Sequence, residues 1–101
     1  MGDINIRFRE VMNLAEQISQ ASQKVSKLAD GELFQILCST KAVWQSESAD
    51  LFCQKEVKVS EQLMKEADIL QKLSQELAER AKAMYLAESA NSLLAKTRIY
   101  I

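Results

Sequence analysis

The chain contains no histidine and no proline, and only two glycines and two cysteines in 101 residues. Without histidine it lacks the commonest general base and metal ligand, and no glycine-rich phosphate loop or acid cluster stands in for it. The expectation is therefore a protein that is not an enzyme and takes no cofactor or metal. Absent proline and scarce glycine remove the residues that interrupt helices. Aromatic side chains are also few, at three Phe, two Tyr and one Trp, and together these shortages favour long helices. No charge sign dominates: 13 basic residues face 14 acidic ones, interleaved along the chain. That excludes the electrostatic footprint of a nucleic-acid or anionic-membrane binder. No apolar run approaches the roughly 18 to 20 residues of a membrane span, and the opening MGDINIRFRE lacks the basic start and apolar stretch of a Sec-type signal.

What the sequence does have is period. Val11, Leu14, Ala15, Ile18, Ala21, Val25, Leu28 and Ala29 follow the i, i+3, i+4, i+7 spacing of one helix face, with Asp3 or Asn5 available as an N-cap. Asp30-Gly31 reads as a possible stop, yet Leu33, Ile36, Leu37 and Thr40 resume after a step that keeps helical phase. One helical glycine costs only about 1 kcal/mol relative to alanine, so the first helix is expected to run through it. From Ser46, a candidate N-cap, a second pattern begins with Glu47 and Asp50 in its first turn, where the helix dipole favours acids. Leu63, Leu70, Leu77 and Met84 recur every seventh residue, with Val59, Leu73, Ala87 and Leu94 on the alternate positions and Ala67 and Ala81 alongside, which is a heptad seam. On the opposite side the charges read as a solvated face, supported by Glu61/Lys65, Asp68/Lys72 and Glu76/Arg80 four residues apart.

These patterns predict one all-α domain over 1–101, with helix one at about 6–41, a bend at about 42–46 and a longer helix two at about 47–97. So short a connection makes the helices antiparallel neighbours. Trp44 then sits at the bend, where its ring can cover the end of the seam, while Ser46, Ser48 and Ala49 are small enough for a close reversal and Phe52 begins the returning face. Two stripes this wide suit four helices better than two, so pairing into a four-helix-bundle dimer is expected. Met84, Tyr85, Leu86 and Ala87 are apolar in succession and Leu93 extends the outer stripe. A helix apolar all round is usually buried, which makes Leu63, Leu70, Leu77, Met84, Leu86 and Leu93 the candidate partner-binding residues. Glu66 and Arg80 interrupt the seam, either to fix register with a partner or to reach past their neighbours into water. Cys38 and Cys53 flank the bend. A bridge needs Cα atoms within about 7 Å while packed helix axes lie about 8–10 Å apart, so a disulfide and free thiols both stay open.

The run Trp44-Gln45-Ser46-Glu47-Ser48-Ala49-Asp50-Leu51-Phe52 resembles the bend of the Trp-Xaa-Gly (WXG, early secretory antigenic target) superfamily of small type VII secretion proteins. Trp44, Ser48, Ala49 and Phe52 match, whereas Ser46 stands where the family has glycine. Serine there implies a turn that does not demand positive φ. The likeness extends along the chain, from Ile4 and Ile6 through the central Trp to a Tyr late in the second helix. It implies a secreted hairpin, or a chaperone, that pairs with itself or a related hairpin, with a larger exported toxin or substrate as a further partner. It also implies a cytoplasmic stage before Sec-independent export. The family's export signal is a Tyr with an acid four residues on; Tyr85 has Glu88 three residues on, still on one helix face. Apart from the resemblance, a cytoplasmic coiled-coil scaffold fits the same pattern.

Overall fold

A computed structural model describes residues 2–99; the expected domain, 1–101, also takes in Met1, Tyr100 and Ile101, which lie outside the described residues. The chain is all-helical, with the second arm longer than the first, consistent with a helical hairpin. Helix α1 spans Gly2–Lys27, a single π-helical segment spans Leu28–Glu32, α2 spans Leu33–Val43 and α3 spans Glu47–Ile99. Helix one thus begins four residues earlier than its expected start near residue 6. Asp3 is in its first turn, favoured there by the dipole, and neither Asp3 nor Asn5 precedes the helix as a cap.

The Asp30-Gly31 step is neither a break nor an undisturbed α-helix. The Leu33 amide donates to the carbonyl of Leu28, five residues back, so the turn holds one residue more than an α-turn. That extra residue rotates everything after it. Of the four residues expected to resume the inner face, Leu33, Leu37 and Thr40 are half-buried, whereas Ile36 is 50% exposed. Gly31 does not adopt positive φ, and a methyl group added there would meet nothing within 4 Å.

The described residues form two compact units. In the first, built from residues up to Ile18 and from Lys72 onward, Ala15 and Ser74 are buried and the Ser74 hydroxyl donates to the Ala15 carbonyl at 2.7 Å. In the second, Ser19–Gln71, the roles are exchanged: the buried Ser22 hydroxyl donates to the Ala67 carbonyl at 2.6 Å. Beside it the Ser19 hydroxyl donates to Gln71 at 3.1 Å. Within each unit the partners run in opposite directions along the sequence, as antiparallel helices require.

These contacts follow from where the small residues fall. Ala15, Ser22 and Ala29 recur every seventh residue on the first arm, and Cys53, Ser60, Ala67, Ser74 and Ala81 do so on α3. Without bulk at those positions two backbones approach closely enough for a hydroxyl to reach a carbonyl on the other helix. Among the described residues the buried apolar ones are accordingly Ala15, Ala29, Ala49, Cys53 and Ala67, and no large side chain is fully buried. The leucine row expected to form the seam lies on its flank: Leu63, Leu70 and Leu77 are half-buried and Met84 is exposed.

One buried group works against this packing. Glu56 is 8% exposed, and neither carboxylate oxygen has a hydrogen-bond partner among the described residues. Removing an unsatisfied buried polar group recovers about 1–3 kcal/mol of desolvation cost, so Glu56→Leu is expected to stabilise the chain by that order in urea denaturation. Gly31→Ala, on an unstrained helical backbone with open space, should add about 0.5–1 kcal/mol in the same measurement.

Candidate functional site

The bend is a three-residue connection, Trp44 to Ser46, built from local hydrogen bonds. Trp44 takes an extended conformation (φ −125°, ψ 108°) and its amide still donates to the Thr40 carbonyl, closing the last turn of α2. The Ser46 side-chain oxygen accepts from the Ala49 amide at 3.1 Å, and the Ser46 carbonyl accepts from the Asp50 amide at 3.1 Å. Ser46 is therefore the N-cap of α3, satisfying an amide that the first helical turn leaves without a partner. No described residue has positive φ, so the chain reverses here without needing glycine at position 46.

Ala49 is the most buried residue at the bend, at 1% exposure, whereas Ser48 is on the surface. The Trp44 ring lies 6.2 Å from the Phe52 ring, tilted by 44°, and with Lys41, Gln45, Ser46, Asp50 and Cys53 it lines a hollow of about 420 Å³. Almost half of Trp44 remains exposed, so the ring caps the hairpin end only in part. Both cysteines are free; Cys53 is buried and Cys38 is on the surface.

Tyr85 and Glu88 share a face of α3 within the first unit, and both are already engaged. The Tyr85 hydroxyl lies 2.7 Å from Asn5 Oδ1, to which it donates. Its ring packs on Phe8 with centroids 4.6 Å apart, and Glu88 pairs with Arg7 at 3.4 Å. Arg7, Phe8, Tyr85 and Glu88, together with Ile4, Val11 and Met84, line an apolar groove of about 290 Å³. The sequence carries no spacing signal for Asn5, Arg7 or Phe8 as neighbours of Tyr85, because they come from the other arm. Only once the bend is fixed does antiparallel pairing place residue 5 opposite residue 85.

The remaining candidate surface is apolar and uncovered. Leu86, Leu93 and Met84 are each more than 60% exposed. Phe34, Ile36, Val43, Leu51, Val59, Ile69 and Leu73 join them as exposed large apolar residues, all seven without a place in the predicted partner surface. No helix is long and apolar enough to cross a membrane among the described residues.

No family model, curated protein or solved structure matches the chain. The likeness of the bend to the Trp-Xaa-Gly type thus rests on its residues alone. What the fold defines is a small all-α protein of hairpin type whose bulky apolar side chains point largely outward.

The cap gives a direct check on the bend. Ser46→Ala removes the acceptor for the Ala49 amide and should cost about 1 kcal/mol, whereas Ser46→Gly should cost only a few tenths; thermal melts followed by circular dichroism would rank the two.

Proposed function

We propose that this chain is a non-enzymatic helical hairpin of the Trp-Xaa-Gly type, which pairs with a like or related hairpin and travels a type VII export route, either as the exported protein or as the partner that presents a larger substrate. The observation that carries the pairing is the inverted size distribution of its core. The buried apolar side chains are small, and the large apolar ones are half-buried or exposed. A buried methyl or methylene contributes about 0.8 kcal/mol, so a seam of alanine and serine holds two helices weakly. Exposed apolar surface is what a partner buries, and two such hairpins complete a four-helix bundle. Export is supported by Trp44, Ser48, Ala49 and Phe52 at a bend that dispenses with glycine, and by Tyr85 and Glu88 on one face.

One observation favours a second reading, a cytoplasmic coiled-coil scaffold. Tyr85 and Glu88 are tied to Asn5, Phe8 and Arg7, which gives them a packing role without any receptor.

Variants Trp44→Ala and Tyr85→Phe, expressed in the native cell, separate the two readings. The export reading expects the protein to disappear from the culture medium while purified variants keep wild-type helicity. Unchanged location combined with a lowered melting temperature would leave only the scaffold.

A further inference from the structure

Helix α2, inside the second unit Ser19–Gln71, contributes little to the packing around it. None of its 11 residues is buried. Leu33, Leu37 and Thr40 are half-buried and the rest are exposed, among them the large apolar residues Phe34, Ile36 and Val43. The stretch of α3 beneath it is the reverse, with Ala49, Cys53 and Glu56 all buried. Cys53 shares hollows with Lys41, Trp44, Gln45 and Ser46, and Val57 shares one with Phe34 and Leu37. It is therefore α2 and the bend that cover this part of α3.

We infer that α2 is a strap that melts as a unit, from the bend back to the π-turn, and uncovers Ala49, Cys53 and Glu56 while the rest of the second unit stays folded. A stretch of 11 residues falls short of the roughly 12–15 that hold a helix in water without help from packing, and packing is what α2 lacks. Cys38, Ser39, Thr40 and Val43 are also among the weaker helix formers, and the Thr40 hydroxyl bonds back to the Ile36 carbonyl at 2.8 Å, a contact that slightly loosens a helix. The two ends of the strap are set by what adjoins it. Ahead of Asp30, Ala29 is buried and the Ser22 hydroxyl reaches the Ala67 carbonyl at 2.6 Å, so melting stops there. Past the bend, Ser46 caps α3 through the Ala49 amide, a bond that does not involve α2, so α3 keeps its first turn.

Glu56 biases the strap toward opening. It stands one heptad ahead of Leu63 and Leu70, so a carboxyl group occupies a place in the leucine row. Both of its oxygens are buried and neither has a hydrogen-bond partner among the described residues. Closed, the group has given up water and gained no bond in return; with α2 melted, water reaches it again. Segments with few buried apolar contacts are the ones that open below the global unfolding free energy, and here the buried carboxyl lowers that local threshold further.

The inference stands apart from the pairing and export readings, and Cys53 is its reporter. The chain has two cysteines, so full-length Cys38→Ser leaves Cys53 as the one thiol, and its rate of reaction with dithiobis(nitrobenzoate) in the absence of denaturant follows the open population. In that background Gln35→Gly, at an exposed position of α2, should speed labelling about threefold. Gln20→Gly, the same substitution at an exposed position of α1, should leave the rate unchanged. Glu56→Leu should slow it about tenfold or more, with circular dichroism showing helicity retained in all three. Hydrogen exchange on the unsubstituted chain should find the amides of 33–43 exchanging together and faster than those of 22–29. Equal acceleration by the two glycine variants would assign the exposure of Cys53 to global unfolding and overturn the inference. So would an unchanged rate in Glu56→Leu, or amides of 33–43 protected as well as those of 22–29.

Discussion

Two helices can approach only as closely as the side chains between them allow, and here those side chains are mostly one or two heavy atoms long. The buried hydroxyls of Ser22 and Ser74 reach carbonyls on the opposite helix at 2.6 and 2.7 Å, contacts that a leucine at either position would prevent. Each is a direct hydrogen bond between a side chain and a backbone group in a dry seam, where a polar group without a partner is costly. Serine in this setting is a matched element rather than a tolerated one. Each serine faces an alanine whose carbonyl it uses, and each alanine is small enough to let that carbonyl be reached.

The same geometry decides where the bulk goes. If the closest line between two helices is filled by small residues, larger apolar side chains must stand on its flanks, half covered, or on the outside. Leu63, Leu70 and Leu77 take the first option and Leu73, Leu86 and Leu93 the second. The π-turn adds to the effect, because one extra residue at Leu28–Glu32 turns Ile36 outward and Leu37 inward. A surface built in this way follows from the close seam; it is not a core that failed to form.

The class of fold was readable because it depends on period and on absent breakers. Trp44 at the reversal, the start of α3 at Glu47 and the capping role of Ser46 were all marked by local chemistry, and local chemistry is what a sequence displays. The centre of the seam was harder to read. Hydropathy weights leucine above alanine and serine, so the row at 63, 70 and 77 reads as the seam, with Ala67 and Ala81 beside it and Ser74 unmarked, whereas steric size reverses that order once two helices meet. The π-turn was likewise hidden, since Asp30-Gly31 marks a weak point without saying whether the chain breaks or inserts a residue. The Asn5–Tyr85 contact and the burial of Glu56 depend on the opposite arm, which no local window contains.

An apolar surface is indiscriminate, because the free energy of covering it scales with area and carries almost no direction. Leucines on the outside of α3 therefore favour association without choosing an associate or a register, and helices sharing a heptad repeat can slide by seven residues at little hydrophobic cost. Discrimination has to come from the few groups that are penalised when misplaced. A charge set within an apolar row is such a group: its desolvation is offset only opposite a charge of the other sign, so what it contributes is mainly the rejection of wrong pairings.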